Sequence, residues 1–212
     1  EASAGNYEMW RTQGVINTPV SDRVRLRLGV DHQERAGYLD NFSGIGPSHF
    51  ADTDYTAIRG SAVVDITDTV ENYTIMRYTH SENNGYPGSL FDCKSTAPLG
   101  IIFCNDDLAS RKATGNDGFY DVYSFVPDPV SEQELAQVIN TTSWEINDNF
   151  SVKNILAYAD FETKNRSALF GTNWQYPLGN GTFQPVIFQM VGTNDDYPTT
   201  DQSTFVEELQ LQ

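Results

Sequence analysis

Apolar and polar residues alternate along several long stretches of the chain, most cleanly over residues 23–31, Arg-Val-Arg-Leu-Arg-Leu-Gly-Val-Asp. A β-strand turns successive side chains to opposite faces. Val24, Leu26, Leu28 and Val30 therefore share one face, and Arg23, Arg25, Arg27 and Asp31 share the other. The same period runs through residues 54–66, where Thr56, Ile58, Gly60, Ala62, Val64 and Ile66 stand opposite Tyr55, Arg59, Ser61 and Asp65. Ala57 and Val63 interrupt it. Strands are predicted over about residues 7–17, 23–37, 54–66, 70–81, 137–146 and 150–163, with a last one from about residue 203. In the fourth, Tyr73 and Ile75 share a face with Arg77, so the pattern does not orient it. Ser131-Glu132-Gln133-Glu134 ahead of Leu135, Val138 and Ile139 matches a helix capping box, and a short helix is the competing prediction there.

The connections between these segments alternate in length. Those after the first, third and fifth are a few residues long, built from Ser21-Asp22, Thr67-Asp68-Thr69 and Asn147-Asp148-Asn149, all turn formers. Those after the second, fourth and sixth run to roughly 16, 50 and 40 residues, against a usual median of about 5. In an up-and-down sheet alternate connections lie at the same end, so one rim is trimmed and the other overgrown. A soluble β-sandwich also alternates along its strands, but its strands are about 5 or 6 residues long, half the length here. Segments of 10–15 residues at about 3.4 Å each span a roughly 25 Å apolar band even when tilted by about 40°. Strand length and the one-sided loops favour a membrane barrel over the sandwich.

Bulk properties narrow the function classes. With 13 Lys and Arg against 29 Asp and Glu, the net charge of −16 excludes a phosphate-backbone partner, so no nucleic acid is expected. Mean hydropathy is −0.45 and no window holds the roughly 20 apolar residues of a membrane helix, which leaves barrel strands open. The chain starts Glu1-Ala2-Ser3-Ala4 and ends within a strand-like run, Phe205 to Gln212, as expected of an internal piece of a longer protein.

Gly14-Val15-Ile16-Asn17-Thr18-Pro19-Val20-Ser21-Asp22, running into Val24-Arg25-Leu26-Arg27, resembles an early barrel hairpin of TonB-dependent outer-membrane receptors. Asn72 to Tyr78, Phe150 to Ile155 and Phe205 to Leu211 resemble later strands of that family, in order along nearly the whole chain. The resemblance implies an all-β fold: an antiparallel up-and-down meander forming part of a transmembrane β-barrel with long extracellular loops. Residues 1–212 would be a fragment of a single barrel domain, lacking the plug domain and the barrel C-terminus. The implied function is binding and import of a scarce nutrient (siderophore-iron, a vitamin or an oligosaccharide) by energy-coupled transport, at the bacterial outer membrane. Implied partners are the nutrient, outer-membrane lipid and the TonB energy-coupling complex, reached through the plug. A secreted carbohydrate-binding module and a passive porin-type channel remain the alternatives.

Individual residues add detail. Cys93 and Cys104 are the two cysteines, both in the longest loop, and a disulfide closing about a dozen residues would stabilise it by about 2–3 kcal/mol. His32, His49 and His80 are scattered, and no nucleophile elbow or phosphate loop occurs, so neither an enzyme nor a cofactor is expected. Arg23, Arg25, Arg27, Arg59 and Lys153 point to the lumen if their apolar neighbours face lipid, lining the ligand path, gripping a plug or solvating a wet interior. Trp10, Tyr38, Tyr55, Tyr73, Tyr78 and Trp144 lie near segment ends, as in an aromatic girdle. Tyr120, Tyr123, Phe125, Trp174 and Tyr176 are the candidate loop contacts to a ligand. Asp106, Asp107, Asp117, Asp121 and Asp128 offer oxygen ligands for calcium or, more simply, solvated loop charge. Residues 83–134 carry eight acids and three bases, which favours neutral or cationic cargo over an anionic chelate. Asn41, Asn72, Asn140, Asn149, Asn165 and Asn180 start glycosylation-type triplets, without meaning in a bacterium.

Overall fold

The alternating segments become long strands because each can pair its whole backbone with a neighbour of matching length. The computed structural model describes residues 1–94, 103–186 and 198–212. In chain order they form β1 (Ala2–Ala4), β2 (Trp10–Ser21), β3 (Val24–Arg35), β4 (Leu39–Asn41), β5 (His49–Phe50), β6 (Thr53–Asp65), β7 (Val70–Asn83), α1 (Asn105–Thr114), β8 (Asp121–Val122), β9 (Val130–Asn147), β10 (Phe150–Arg166), β11 (Gln175–Pro177), β12 (Phe183–Pro185) and β13 (Thr200–Leu211). One eight-stranded sheet has the order β1-β2-β3-β6-β7-β9-β10-β13, antiparallel throughout. The remaining strands belong to the long connections: β5-β4-β8, in which β4 and β8 run parallel, and the hairpin β11-β12. The all-β up-and-down meander is therefore the fold, and the sheet is open.

At the trimmed rim a side-chain oxygen closes each turn by accepting an N–H two residues on. Ser21 Oγ takes Arg23 N–H at 3.3 Å, Thr67 Oγ1 takes Thr69 N–H at 3.2 Å, and Asn147 Oδ1 takes Asn149 N–H at 3.0 Å. All three long connections leave from the opposite rim.

The structure moves several predicted boundaries. The first long strand spans residues 10–21 rather than 7–17, and Pro19 lies inside it beside a register shift between Pro19 and Ser21, a bulge that tolerates a residue without an N–H. A short strand, β1, precedes it. The strand expected from residue 137 begins at Val130, so the capping-box helix does not form. Its Glu132 instead works across strands, accepting from Lys164 Nζ at 3.1 Å and facing His80 Nε2 at 3.4 Å. A helix does occur in residues 105–114, with Asp106 and Asp107 in its first turn, Arg111 and Lys112 in its last, and Gly115 at φ 76° ending it.

Burial is distributed unusually. Among the described residues no side chain of the eight-stranded sheet is buried, whereas Phe50, Ala51, Val122, Val126, Asp107, Arg111 and Ser124 of the long connections are. On the face carrying Leu26 and Leu28, Ile16 is 66% exposed, Met76 61%, Phe205 65% and Leu209 71%. We call this the outer face. The other, inner face borders an open hollow of about 1080 Å³. Register places Tyr73, Ile75 and Arg77 on the inner face, which settles the orientation of β7. It also places Tyr55 and Tyr73 there, so these two leave the girdle predicted for them, while Tyr78 and Trp144 stay on the outer face.

The outer face has one polar island, between β7 and β9. Asn72 Nδ2 donates to Asn140 Oδ1 (3.1 Å) and Thr142 Oγ1 (2.8 Å), and Asn140 Nδ2 donates to Asn72 Oδ1 (3.0 Å) and Thr74 Oγ1 (2.7 Å). Thr74 Oγ1 and Thr142 Oγ1 return their protons to Asn72 Oδ1 and Asn140 Oδ1. Every side-chain proton donor of the four residues is used, so the island needs no water. It clamps two strands separated by a long connection. Asn140→Ala is expected to cost about 1–3 kcal/mol, because it strands donors on Asn72 and Thr142. In a double-mutant cycle followed by denaturant unfolding, Asn72→Ala combined with Asn140→Ala should cost less than the sum of the two; strict additivity would mean that the clamp does not act as a unit.

Candidate functional site: the inner wall and the loop cap

The inner wall is a charged surface sorted by cross-strand pairing. Arg11 Nε donates to Asp31 Oδ1 at 2.8 Å, and Gln13 Nε2 donates to Asp31 Oδ2 at 3.0 Å. Arg25 grips Asp65 with both guanidinium nitrogens, at 2.6 and 2.8 Å, and reaches Glu71 at 3.5 Å. Arg23, at the trimmed rim, pairs with Asp68 at 2.6 Å. Of the predicted lumen residues, Arg25, Arg27, Arg59 and Lys153 share this face by register, with Arg23 at the turn beneath them. Arg77 joins them, directly opposite Arg59 across the β6–β7 pair. Its place was hidden from the sequence because only the register orients β7.

Above the wall, the long connections pack into a cap with its own dry interior. Asn41 ties it together: its Nδ2 donates to the carbonyls of Ile45 (2.8 Å) and Pro47 (2.9 Å), and its Oδ1 accepts the N–H groups of Ser43 (3.2 Å) and Ser124 (3.0 Å). Gly46 sits at φ 72°, where an added Cβ would lie 2.5 Å from the Val126 carbonyl oxygen, so no other residue fits. Arg111, 1% exposed, gives its hydrogen bonds to backbone carbonyls and a hydroxyl rather than to a carboxylate. It donates to the oxygens of Asp121 (2.7 Å), Leu90 (3.2 Å) and Asn116 (3.4 Å), and to Ser89 Oγ (3.1 Å). A Cys93–Cys104 disulfide fixes the approach to α1.

The predicted loop aromatics separate. Tyr120 is 48% exposed and belongs to a run of rings, Phe91–Phe119–Tyr120–Tyr38–Tyr7, with centroids 4.9–5.9 Å apart and the Arg35 guanidinium 5.0 Å from Tyr38. Tyr176, on β11, is 59% exposed. Trp174 is half-buried with its ring 3.9 Å from that of Phe103, and Phe125 is half-buried. Tyr123 is buried instead of presented: its hydroxyl bonds Thr114 Oγ1 (3.0 Å) and Asn116 Nδ2 (3.2 Å), inside the cap.

The five loop aspartates do not converge either. Asp107 is buried against Asn173 N–H, Asp121 accepts Gly118 N–H at 2.9 Å, and Asp128 pairs with Arg166 at 2.7 Å. Among the described residues, the acids that do converge are Asp160, Glu162 and Asp201, on the outer face of β10 and β13, with carboxylate oxygens within 4.8 Å of one another. The sequence signal for them is an acid two residues from another on one strand; the third comes only with pairing.

Asp107 supplies a pH test of the cap. Burial pushes its carboxyl above the ordinary carboxylate range, only partly offset by the Asn173 N–H and by Arg111, and its Oδ2 has no partner. A carboxyl whose folded value is raised binds more protons folded than unfolded. The cap is therefore steadiest below the ordinary carboxylate value and weakens as pH rises through the raised one. Asp107→Asn keeps an acceptor for Asn173 and removes the charge. Limited proteolysis of the loops should show wild-type cleavage accelerating as pH rises, and a slower, flatter profile for Asp107→Asn; parallel profiles would contradict this.

No family model and no curated protein matches the sequence, but solved structures match the fold. The chain is similar to the siderophore receptor PiuA from Acinetobacter baumannii, at TM-score 0.57 and 15% identity, covering 99% of this chain and 26% of that one. It is also similar to the ferric-catecholate import receptor Fiu from E. coli K12, at TM-score 0.55 and 13% identity, covering 78% of this chain and 23% of that one. At these identities the likeness is one of fold. The chain spans about a quarter of the length of either receptor and shares with them a barrel-like antiparallel sheet, left open here.

Proposed function

We propose that the chain is part of the wall and outer loops of a TonB-dependent outer-membrane receptor, which binds a scarce nutrient and imports it by energy-coupled transport. The observation that carries this reading is a long-stranded meander with every large connection at one rim, an exposed aliphatic outer face, and buried side chains confined to the cap. A soluble sandwich or carbohydrate-binding module would bury one face of such a sheet under a second layer. In a bilayer, hydrocarbon covers the outer face and the strands satisfy one another's backbone groups. Tyr120, Tyr176 and the accessible parts of Phe125 and Trp174 are the cap's surfaces for the nutrient. Arg23, Arg25, Arg27, Arg59 and Lys153 line the conduit. A plug domain would fill the barrel and connect it to the TonB complex. Two siderophore receptors among the structural neighbours make an iron chelate the first cargo to test, and the acidic long connection directs that test to neutral or cationic chelates before anionic ones.

Fractionation tests the setting. The intact protein should sediment with outer membranes and require detergent for release; recovery as a water-soluble monomer would refute the proposal. Substitutions sharpen the test. Leu28→Arg, on the outer face, should cost about 2–4 kcal/mol near mid-membrane and cut the yield of folded barrel, whereas Thr204→Arg, on the inner face, should be tolerated. Equal tolerance of both would remove the lipid contact from the account.

A further inference from the structure

The polar island on the outer face leaves out a polar neighbour. Along β10 the outer-face positions run Phe150, Val152, Asn154, Leu156 and Tyr158, and then Asp160 and Glu162 toward the overgrown rim. Asn154 is the middle one of the uncharged positions, about 14 Å along the strand from either end of that run. Register sets it directly beside Thr142 of β9 on one side and Leu209 of β13 on the other. Among the described residues its side-chain amide makes no hydrogen bond. Asn72, Thr74, Asn140 and Thr142 bond one another instead. Both strands flanking β10 are in place, so no further strand of the sheet can reach the amide.

We infer that Asn154 marks a contact within the membrane between two copies of this chain, related by a two-fold axis along the membrane normal. This rests on the reading of the chain as barrel wall. An amide without a partner is costly in hydrocarbon, and acyl chains offer it neither donor nor acceptor. Its partner therefore comes from a second polypeptide. Three features select the same chain as that polypeptide. An Asn amide carries N–H donors and an acceptor oxygen in one plane, so two of them face to face exchange two N–H···O bonds. Barrels enter the membrane with their short turns on one side, so a two-fold between neighbouring copies lies along the normal and keeps each residue at its own depth. Asn154 thus meets its counterpart at the same level, whereas an unrelated partner would need a polar group of its own there. Around it, Asn72, Thr74, Asn140 and Thr142 form a surface of short side chains with no donor left over, the kind that lets membrane-embedded segments approach closely. Met76 and Leu209, 61% and 71% exposed, border the patch. Glu207, the acid on this face of β13, pairs with Leu156, one position nearer the overgrown rim, and so stands off from the centre of the contact.

The test uses the full-length protein, singly dye-labelled and reconstituted in lipid vesicles, with the dimer fraction read by single-molecule photobleaching as the protein is diluted in lipid. Wild type is expected to pass from dimer to monomer on dilution. Asn154→Leu should need a protein-to-lipid ratio about tenfold higher or more for the same dimer fraction, while its heat-modifiable mobility on gels shows an unchanged barrel. If Asn154→Leu fails to fold, Asn154→Ala should give the same shift. Asn154→Gln, which keeps an amide, should recover part of it. Mild oxidation should link two copies of Asn154→Cys covalently, with the Cys93–Cys104 bridge intact, but not two copies of Leu28→Cys, on the same face four strands away. A wild type that is monomeric at every ratio overturns the inference, and so does Asn154→Leu diluting along the wild-type curve. So does a different membrane protein that co-purifies in equal amount with wild type and is lost from Asn154→Leu, since the amide would then belong to that partner. Recovery of the full-length protein as a water-soluble monomer contradicts the barrel reading itself, which the other outcomes leave standing.

Discussion

The structure depends on antiparallel backbone pairing carried out along strands of 12 to 18 residues, with no buried side chain in the sheet among the described residues to support it. Each interior strand spends both rows of its N–H and C=O groups on neighbours, and the sheet stays open along β2 beyond Thr12 and along the outer edge of β13. Its side chains, by contrast, are left open on two surfaces of different character. An exposed aliphatic surface such as this marks contact with another apolar phase or partner. In hydrocarbon, the exposed Ile16, Leu28, Met76, Phe205 and Leu209 lose their penalty, and an unpaired backbone group becomes the main cost to avoid. The Asn72–Thr74–Asn140–Thr142 clamp obeys the same rule at the level of side chains: it is polar but leaves no donor over.

The cap obeys the opposite rule. It folds as small water-exposed proteins do, around Phe50, Val122 and Val126, with a disulfide and a carbonyl cage around Arg111. Its segments come from connections far apart in sequence, and the parallel pairing of β4 with β8 joins residues about 80 positions apart. The wall thus supplies a rigid rim and the cap a self-supporting surface above it. Exposed rings such as Tyr120 therefore stand on the cap, apart from the strands below.

What the sequence reveals follows the same division. Strands β3 and β6 are legible because their alternation is unbroken over Arg23 to Asp31 and interrupted in β6 only at Ala57 and Val63, and because their faces differ in polarity. The short turns are legible from Ser21, Thr67 and Asn147. The strand β7 could not be oriented because Tyr73, Ile75 and Arg77 mix characters on one face, and only pairing with β6 and β9 decides. Ser131 to Glu134 read as a helix start because the cross-strand partners that make Glu132 a strand residue, Lys164 and His80, are more than thirty positions away. The helix α1 did carry a local signal, acids first, bases last and a glycine stop. Tyr123 was grouped with the ligand contacts because burial in a loop cap has no periodicity to betray it, and the cap's interior is written almost entirely in long-range contacts.

The central claim is that one side of these ribbons touches hydrocarbon and the other water. Nitroxide labels placed singly at residues 24 to 30 of the full-length protein in lipid vesicles, with the Cys93–Cys104 bridge intact, test it directly through their collision rates with oxygen and with a water-soluble nickel chelate. The account predicts a period of two, with oxygen access high at 24, 26, 28 and 30 and chelate access high at 25, 27 and 29. A flat profile, or labels at the even positions that neither reagent reaches, would contradict it.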